Sequence, residues 1–454
     1  MGIIAHLKIL APLTLYILGG AFFLNALIGR VRWALALVVL LLPLRNVIEK
    51  LQEFPLGNQF LDLLILAMIV GWCLSTMLDR KALIDKSALN FAAFLLVIYM
   101  TFSLFLGSYK LEGELYFDFH ESRVQDWKNY CLMPLLFFLT ANNLPDKKWV
   151  WRIFGVTCFT MTLMAYYTTS QISSFSSLES REKINGTFQF LGPNEVAAFL
   201  NQYTMILVGV YFFMKKKLYR LFLLALILVN IYCILFLYSR GAYLGLGVGL
   251  FLMFLFKNKK MLIPLILVAV LWQAVLPQKA VERIKGTKNA YGELDLSSER
   301  RLYMWKVGMQ LFKESPLVGI GYGVFRYLGF ELGDTHNIYV KILVEQGVVG
   351  LLVFLFLIFC FMVEGFRLYQ KGEDDASRGL GLGLFVCMFV LLVNNFFGDR
   401  WAYFELSAYL WIYAGLAARL YTITSNKEEV PPVVAKQNTD LPAPVRKVRK
   451  SYYK

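Results

Sequence analysis

The chain alternates long apolar runs with short polar links from its N-terminus to about Tyr421. A helix needs about 20 apolar residues to cross a bilayer, and runs near this length recur along the chain. They span residues 9–28, 31–44, 60–78, 88–106, 129–143, 150–167, 195–214, 219–238, 241–256, 261–276, 338–366, 379–397 and 403–421. The runs 31–44 and 129–143 are short, which predicts tilted, partial or re-entrant helices. Because backbone polar groups in lipid must bond internally, the pattern predicts an all-α, polytopic membrane protein with about 12 transmembrane helices.

The composition supports this class of protein. Of 454 residues, 58% are hydrophobic and 17% are charged, whereas soluble domains usually have about 45–50% and about 25%. These values exclude a soluble, disordered or small disulfide-rich protein. All six cysteines fall in apolar runs, so we expect buried small side chains rather than disulfides or zinc ligands.

The formal net charge is +15, and the positions of the basic residues indicate which kind of protein carries it. Basic residues cluster in short links between apolar runs, which is the pattern of cytoplasmic loops and not of a nucleic-acid-binding surface. These links are 79–87, 144–149, 215–220 and 257–260. The alternation then places the links 107–128, 168–194 and 277–335 on the opposite side of the membrane.

These patterns divide the chain into four parts. Residues 1–276 are transmembrane helices with short loops, 277–337 form a large loop, 338–421 are C-terminal transmembrane helices, and 422–454 form a basic tail that we expect to be disordered and cytoplasmic.

In the large loop, Ser297 or Ser298 is expected to cap an amphipathic helix that Pro316 ends. Its apolar positions have helical spacing, which predicts a helix on the membrane surface with that face down. They are Leu302, Trp305, Met309 and Phe312.

A histidine and three arginines near the predicted outer face are candidates for chemistry. His336 lies between the large loop and a long apolar helix, where it could accept a proton; the alternative is a surface histidine that caps the helix. Arg240 lies beside a glycine turn between two spans and suits phosphate oxygens; the alternative is a snorkelling arginine.

Arg300 and Arg301 occupy the first turn of the loop helix, where cations are unfavourable unless an anion is shared. The alternative there is pairing with Glu299. Asp399 and Arg400 are interpreted as an interfacial pair.

Several motifs around these residues resemble those of the bacterial O-antigen ligase and O-antigen polymerase superfamily. His336-Asn337, nine further residues and Gly347-Val348-Val349-Gly350 are similar to its HN-x9-GxxG motif. Ser239-Arg240-Gly241-Ala242 is similar to its SRGA turn, and Arg301 to Trp305 followed by Pro316 to Gly321 is similar to its R-x3-W and PxxGxG stretch. Gly186-Thr187-Phe188 and Pro193-Asn194-Glu195 resemble an earlier outer-loop segment. The motifs cover roughly residues 180–370.

The resemblance implies a GT-C-like glycosyltransferase of the bacterial inner membrane that works on the periplasmic side. The donor would be a glycan on undecaprenyl diphosphate, and no metal, nucleotide or other cofactor would be required. Arg240, Arg301 and His336 match the essential residues of the ligases. Arg300, Asn337 and Ser239 are further candidates for substrate binding. Because Arg300 precedes Arg301, either arginine could face the diphosphate.

Elementary chemistry agrees with these roles. Two arginines would neutralise a departing diphosphate, and a histidine would take the proton of the attacking hydroxyl, so a single displacement predicts inversion. The acceptor decides between a ligase acting on lipid A core, the first choice, a polymerase acting on a second lipid-linked glycan, and a protein O-oligosaccharyltransferase. The other class of function is a flippase or transporter for the same lipid-linked sugars, which would not need His336.

Overall fold

The structure is a computed structural model, and it describes residues 2–175, 180–287, 295–330 and 333–428. Within these ranges all regular secondary structure is helical, so the prediction of an all-α protein is confirmed. The tail predicted as disordered begins inside a helix that continues to Glu428, and residues 429–454 lie outside the described residues.

The α-helices are α1 Gly2–Leu27, α2 Val31–Leu41, α3 Arg45–Leu51, α4 Phe60–Asp79, α5 Leu89–Glu112, α6 Ser122–Asn143, α7 Lys147–Ser174, α8 Pro193–Phe213, α9 Lys217–Phe236, α10 Arg240–Lys257, α11 Leu262–Val270, α12 Trp272–Val275, α13 Gln278–Lys285, α14 Leu296–Glu314, α15 Ile338–Lys371, α16 Asp375–Phe396 and α17 Phe404–Glu428. Short 3-10 turns occupy Gly57–Gln59, Ser180–Lys183, Lys259–Met261 and Val324–Leu328.

Eight of the described helices are long and apolar enough to cross a membrane, which makes the chain a multi-pass membrane protein. They are α1, α4, α5, α8, α9, α10, α15 and α16. Helices α2 and α3 bend by 113° and would make a ninth span if they count as one, in line with the short run at 31–44. Helices α6, α7 and α17 have 22, 28 and 25 residues but are less apolar. The count of about 12 is therefore not confirmed.

The polar links gather at two ends of the bundle, as their charges predict. At one end, the basic end, Lys215 pairs with Asp375 at 2.6 Å and Arg419 with Asp85 at 3.2 Å. At the other end, the loop face, Arg326 of the large loop pairs with Asp126 at 3.1 Å. The three links predicted to share a side thus meet at the loop face.

Helix α16 forms the centre of the bundle and packs against α8, α10 and α15. Glycines allow α8 and α16 to approach closely: a Cβ on Gly209 would lie 2.4 Å from the carbonyl oxygen of Gly379. Close backbone approach at small residues is how membrane helices pack without a hydrophobic driving force between them. This contact lies near the basic end of both helices, and their opposite ends, Asn194 of α8 and Asn394 of α16, line the candidate site.

Helix α15 is broken at Gly347, whose φ of +68° and ψ of −168° are accessible essentially only to glycine. The break frees backbone carbonyl groups, and the glycine-rich segment after Pro316 satisfies two of them. Ile320 N donates to Val344 O at 2.9 Å, and Gly321 N donates to Glu345 O at 2.8 Å. The PxxGxG and GxxG motifs are thus the two halves of one packing contact between the large loop and α15.

Candidate active site

Helix α14 carries one of the predicted arginines, and its start differs from the prediction. The cap is Asp295, not Ser297 or Ser298: its carboxylate accepts the backbone N–H of Ser298 at 2.8 Å. The face that packs against the protein also differs. Met304 and Gly308 are buried against α15, whereas Leu302 is 40% exposed. Leu302 and Met309 of the predicted apolar side are exposed, and the expectation that this side lies on the membrane surface stays a prediction.

That packing face includes Arg301, since positions 301, 304 and 308 lie on one side of a helix. Trp305, one turn after Arg301, donates its indole N–H to the carbonyl oxygen of Thr335 at 2.9 Å. It also packs edge-on against Phe396 of α16. The R-x3-W motif therefore ties the arginine helix to the residue that precedes His336.

A cavity of about 340 Å³ at the loop face is lined by five arginines, and we call it the arginine cavity. Its arginines are Arg181, Arg240, Arg283, Arg301 and Arg400. The N-terminal turns of α8, α10 and α14 also line it, through Asn194, Ser239 and Ser297 among others. Helix N-termini carry partial positive charge and unpaired N–H groups. The arrangement is suited to a polyanion such as a diphosphate.

Arg240 is held in a fixed position at this cavity. Its Nη1 donates to Thr287 Oγ1 and to Asp295 Oδ2, both at 2.7 Å. Burial would raise the pKa of Asp295, but the hydrogen bonds from Ser298 and Arg240 outweigh it and lower the pKa overall. Asp295 therefore stays ionised, caps α14 and anchors Arg240 at once. Ser239, the residue before Arg240, is buried in the cavity wall and its side chain does not cap α10.

Arg301 differs from Arg240 in its partners. It makes no hydrogen bond or ion pair with the residues that the structure describes, although it is largely buried. Burial lowers its pKa, and the nearby Arg400 and Arg240 lower it further. Asp295 and Glu195 act in the opposite direction, but they are already paired with Arg240 and Arg400. A bound anion would stabilise a buried cation in these surroundings. Arg301 lines both the arginine cavity and a second cavity, whereas Arg300 lines only the second.

His336 lies just before α15 in the sequence, and in space it lines the same cavity as Arg300 and Arg301 of α14. Its φ of +50° is unusual for a residue with a side chain, and such strain costs about 1–3 kcal/mol and concentrates at functional sites. The backbone N–H of His336 donates to Asp334 Oδ1 at 3.0 Å. The residue that caps α15 is Asn337, whose Oδ1 accepts from Tyr339 N at 3.0 Å. The alternative role of His336 as the cap is therefore wrong.

The imidazole of His336 is suited to accept a proton. Burial lowers its pKa below the ordinary value of 6.5; Asp334 opposes this, and Arg301 and Arg400 add to it. The neutral form is thus favoured near neutral pH. Within the described part of the chain, no hydrogen bond occupies its ring nitrogens.

Two functional candidates in the arginine cavity were not predicted from the sequence. Arg181 is buried and donates to Leu237 O at 2.7 Å and Asn194 Oδ1 at 2.6 Å, so it joins the turn before α10 to the start of α8. Arg400 pairs with Glu195 of α8. The interpretation of Arg400 and Asp399 as a pair is wrong, because Asp399 instead accepts from Lys341 at 2.9 Å. In the sequence, Arg181 lies in the middle of the link 168–194, and Arg400 lies between the last two apolar runs.

Three cavities lie in a row at the loop face. The arginine cavity shares Ser297 and Arg301 with a second cavity of about 330 Å³, which also contacts Arg300 and His336. His336 in turn lines a third cavity of about 370 Å³, which we call the Glu345 cavity. Arg301 and His336 therefore stand at the two junctions of one continuous row.

An apolar groove between α7 and α9 leads towards this row. It begins at Thr162 and Phe222, with a volume of about 320 Å³. Further towards the loop face, a larger cavity of about 540 Å³ between the same helices and α13 is lined by aromatic residues, including Tyr238. Tyr238 also lines the arginine cavity. The groove and the larger cavity share no lining residue, but they lie on successive turns of α7 and α9, and only the larger cavity borders the cationic site.

Residues 222–355 match the family model described as O-antigen ligase. This segment is thus similar to the O-antigen ligase family, and the match covers less than a third of the chain. The matched segment contains Arg240, Arg301 and His336, which the structure brings to one row of cavities. A curated relative, the exopolysaccharide production protein ExoQ of Rhizobium meliloti (strain 1021), is 31% identical over 120 residues. That match covers 22% of this chain and 27% of the relative.

Proposed function

We propose that this protein is an inverting glycosyltransferase of the bacterial inner membrane that moves a glycan from undecaprenyl diphosphate to an acceptor hydroxyl on the periplasmic side. The first candidate is an O-antigen ligase whose acceptor is lipid A core. The observation that carries the proposal is Arg301, a largely buried cation without a partner among the described residues, placed between the arginine cavity and the cavity of His336. On one side of Arg301, the arginine cavity would hold an anion. On the other side lies His336, the proposed proton acceptor.

The reaction proceeds along the row of cavities. The diphosphate lies in the arginine cavity, where Arg301 and Arg240 bind its oxygens. The acceptor hydroxyl attacks the anomeric carbon and transfers its proton to His336, while the bond from that carbon to the phosphate oxygen breaks. The electron pair leaves with undecaprenyl diphosphate, and the arginines stabilise the charge that develops. The arginines would make a divalent cation unnecessary.

The other proposed substrate-binding residues have distinct positions. Arg300 lines the second cavity beside His336, where it would contact the transferred glycan. Ser239 would donate its hydroxyl hydrogen to the diphosphate. The unpaired backbone N–H groups in the first turn of α10 would bind the diphosphate as well. Asn337 is nearly fully buried and caps α15, so we assign it the role of positioning His336.

The groove between α7 and α9 would hold the polyprenyl chain. It is lined at depth by apolar side chains such as Leu226 and Val229, and the larger cavity on the next turns of α7 and α9 borders the cationic site through Tyr238. A lipid in this groove would keep its tail in the bilayer while its headgroup reaches the arginines.

The experiment is transfer by the purified protein in liposomes that contain excess EDTA. The donor is a glycan on undecaprenyl diphosphate, and lipid A core or a second lipid-linked glycan is the acceptor. We expect glycosylated lipid A core with an inverted anomeric centre. A requirement for magnesium or manganese would contradict the arginine mechanism.

Polymerisation is the second candidate, and the similarity to the exopolysaccharide production protein of Rhizobium meliloti favours it. It predicts a ladder of longer lipid-linked glycans and no product on lipid A core. Movement of the donor between leaflets without any new glycosidic bond would instead indicate a flippase.

A further inference from the structure

We propose that the Glu345 cavity is the binding site for the acceptor sugar. This inference rests on the proposed function, because it assigns the substrate that reacts at His336. The cavity has about 370 Å³, within the range of about 300–1,000 Å³ for small-molecule sites. His336 forms part of its wall, so a hydroxyl bound there would lie next to the proposed proton acceptor.

An unsatisfied carboxyl group at the wall of this cavity points to a ligand. Glu345 is 1% exposed, and its Oε2 has no hydrogen-bond partner among the described residues. The backbone N–H groups of Gly323 and Phe325 lie beside the same carboxyl group and orient it. A buried carboxyl oxygen without a partner is unfavourable. A sugar hydroxyl that donates to Oε2 would remove this penalty.

The remaining polar groups favour a neutral, hydroxyl-rich ligand over an anion. Both cations at the wall are already paired, Arg326 with Asp126 at 3.1 Å and Lys341 with Asp399 at 2.9 Å. Carboxyl groups outnumber cations around the cavity, since Asp126, Asp334 and Glu345 face Arg326 and Lys341. A diphosphate would be repelled here and attracted by the arginine cavity. Tyr322 and Tyr403 add aromatic surface, which suits the apolar face of a sugar ring.

The sequence also explains how α15 builds this wall. Lys341 and Glu345 are separated by four residues, so they project from the same face of the helix. Both belong to the nine-residue spacer between His336-Asn337 and Gly347. Gly321 N donates to the carbonyl oxygen of Glu345, two residues before the break at Gly347, and this bond fixes the backbone of Glu345 at the cavity wall.

The assignment gives each cavity one reactant. The acceptor hydroxyl enters from the Glu345 cavity, loses its proton to His336, and bonds to the anomeric carbon in the middle cavity. The diphosphate leaves into the arginine cavity with the electron pair of the broken bond. Nucleophile and leaving group therefore lie on opposite sides of the reacting carbon, as an in-line displacement requires.

The test compares Glu345→Gln and Glu345→Ala with Glu364→Gln. Glu364 is an equally buried carboxyl group on α15, but it binds Ser87 at the basic end and serves as the matched control. Transfer is measured with donor and acceptor concentrations varied separately. We expect the KM for acceptor to rise about 10–100-fold in the Glu345 variants, as for loss of a buried hydrogen bond that leaves its partner unsatisfied. The KM for donor and the slow hydrolysis of donor by water should not change.

A direct binding measurement separates failure of this inference from failure of the proposed function. Saturation-transfer NMR with delipidated core oligosaccharide, and with a repeat-unit oligosaccharide, should give a signal for the wild type and the Glu364 variant. It should be lost with Glu345→Gln. Equal binding by Glu345→Gln, or a rise in the KM for donor alone, would overturn the acceptor site. If the wild type transfers no glycan to any acceptor, the proposed function fails, and the oligosaccharide signals still decide whether the cavity binds sugar.

Discussion

Arg301 and Arg300 are neighbours in sequence but have different surroundings. Arg301 shares its helix face with Met304 and Gly308, which pack on α15, so its guanidinium is carried inward between two cavities. Arg300 is rotated by about 100° on the helix and lines only the second cavity. The two residues therefore offer a matched pair for mutagenesis.

Arg301→Ala should reduce transfer at least about 10²–10³-fold, the usual effect of removing one group that stabilises developing charge. Arg301→Lys should also be impaired, because an ammonium group lacks the planar fork that binds two phosphate oxygens. Initial rates in liposomes, with folding checked by size exclusion, measure both. Arg300→Ala is the control and should be milder. If Arg300 proves essential and Arg301 dispensable, the assignment of the diphosphate ligand is wrong.

His336 should control the pH dependence of transfer. Its pKa is lowered by burial and by Arg301 and Arg400, and only the neutral imidazole accepts a proton. The value of kcat/KM should therefore be flat near neutral pH and fall as pH drops through a pKa below 6.5. A kcat/KM that rises only above pH 7 would contradict the role of His336 as a buried base.

Asparagine is the informative replacement at this position. It tolerates the left-handed backbone conformation of His336 but cannot act as a base. His336→Asn should lose about 10²–10⁴-fold in rate while it still binds donor, as measured by flotation with labelled lipid. Near-normal activity of this variant would show that the residue has only a conformational role.

At the scale of elements, much of the site follows from helix breaks that hydropathy does not reveal. The apolar run 338–366 predicts one straight span, but Gly347 breaks α15 and the large loop fills the gap. The run 261–276 is likewise divided into α11 and α12. The sequence made Arg240, Arg301 and His336 candidates through the motifs around them. It did not identify Arg181, Arg400 or Glu345, whose roles depend on which helices become neighbours.

Gly347→Ala should destabilise the protein strongly. Its backbone conformation is closed to residues with a Cβ, and an added Cβ would lie 2.2 Å from Leu317 O. Gly247→Ala is the matched control, since its Cβ would meet no atom within 4 Å, and alanine is favoured over glycine in helices by about 0.5–1 kcal/mol. Thermal unfolding in detergent should show a lower midpoint or aggregation for Gly347→Ala only. Equal stability would refute the docking of the large loop on the break.

At the scale of the whole molecule, we propose that the groove between α7 and α9 guides the lipid donor from the bilayer to the arginine cavity. Ala225→Trp would fill the groove near Phe222 and Val229, so the KM for the full-length polyprenyl donor should rise several-fold. A donor with a short isoprenoid chain should be less affected. Leu228→Trp, on the exposed surface of the same helix outside the groove, is the control. An equal effect of both variants would remove the groove from the lipid path.

The orientation of the bundle is the premise on which the mechanism depends. Basic links gather at one end and the large loop at the other, so the positive-inside rule predicts that the loop face lies in the periplasm. A cysteine at Leu317, which is 67% exposed on the loop face, should react with a membrane-impermeant maleimide in intact cells. One at Leu83, 42% exposed at the basic end, should react only after the membrane is opened. The parental chain is the control, because its six cysteines are buried or half-buried. The reverse labelling pattern would put Arg301 and His336 in the cytoplasm, where a donor displayed on the periplasmic leaflet could not reach them.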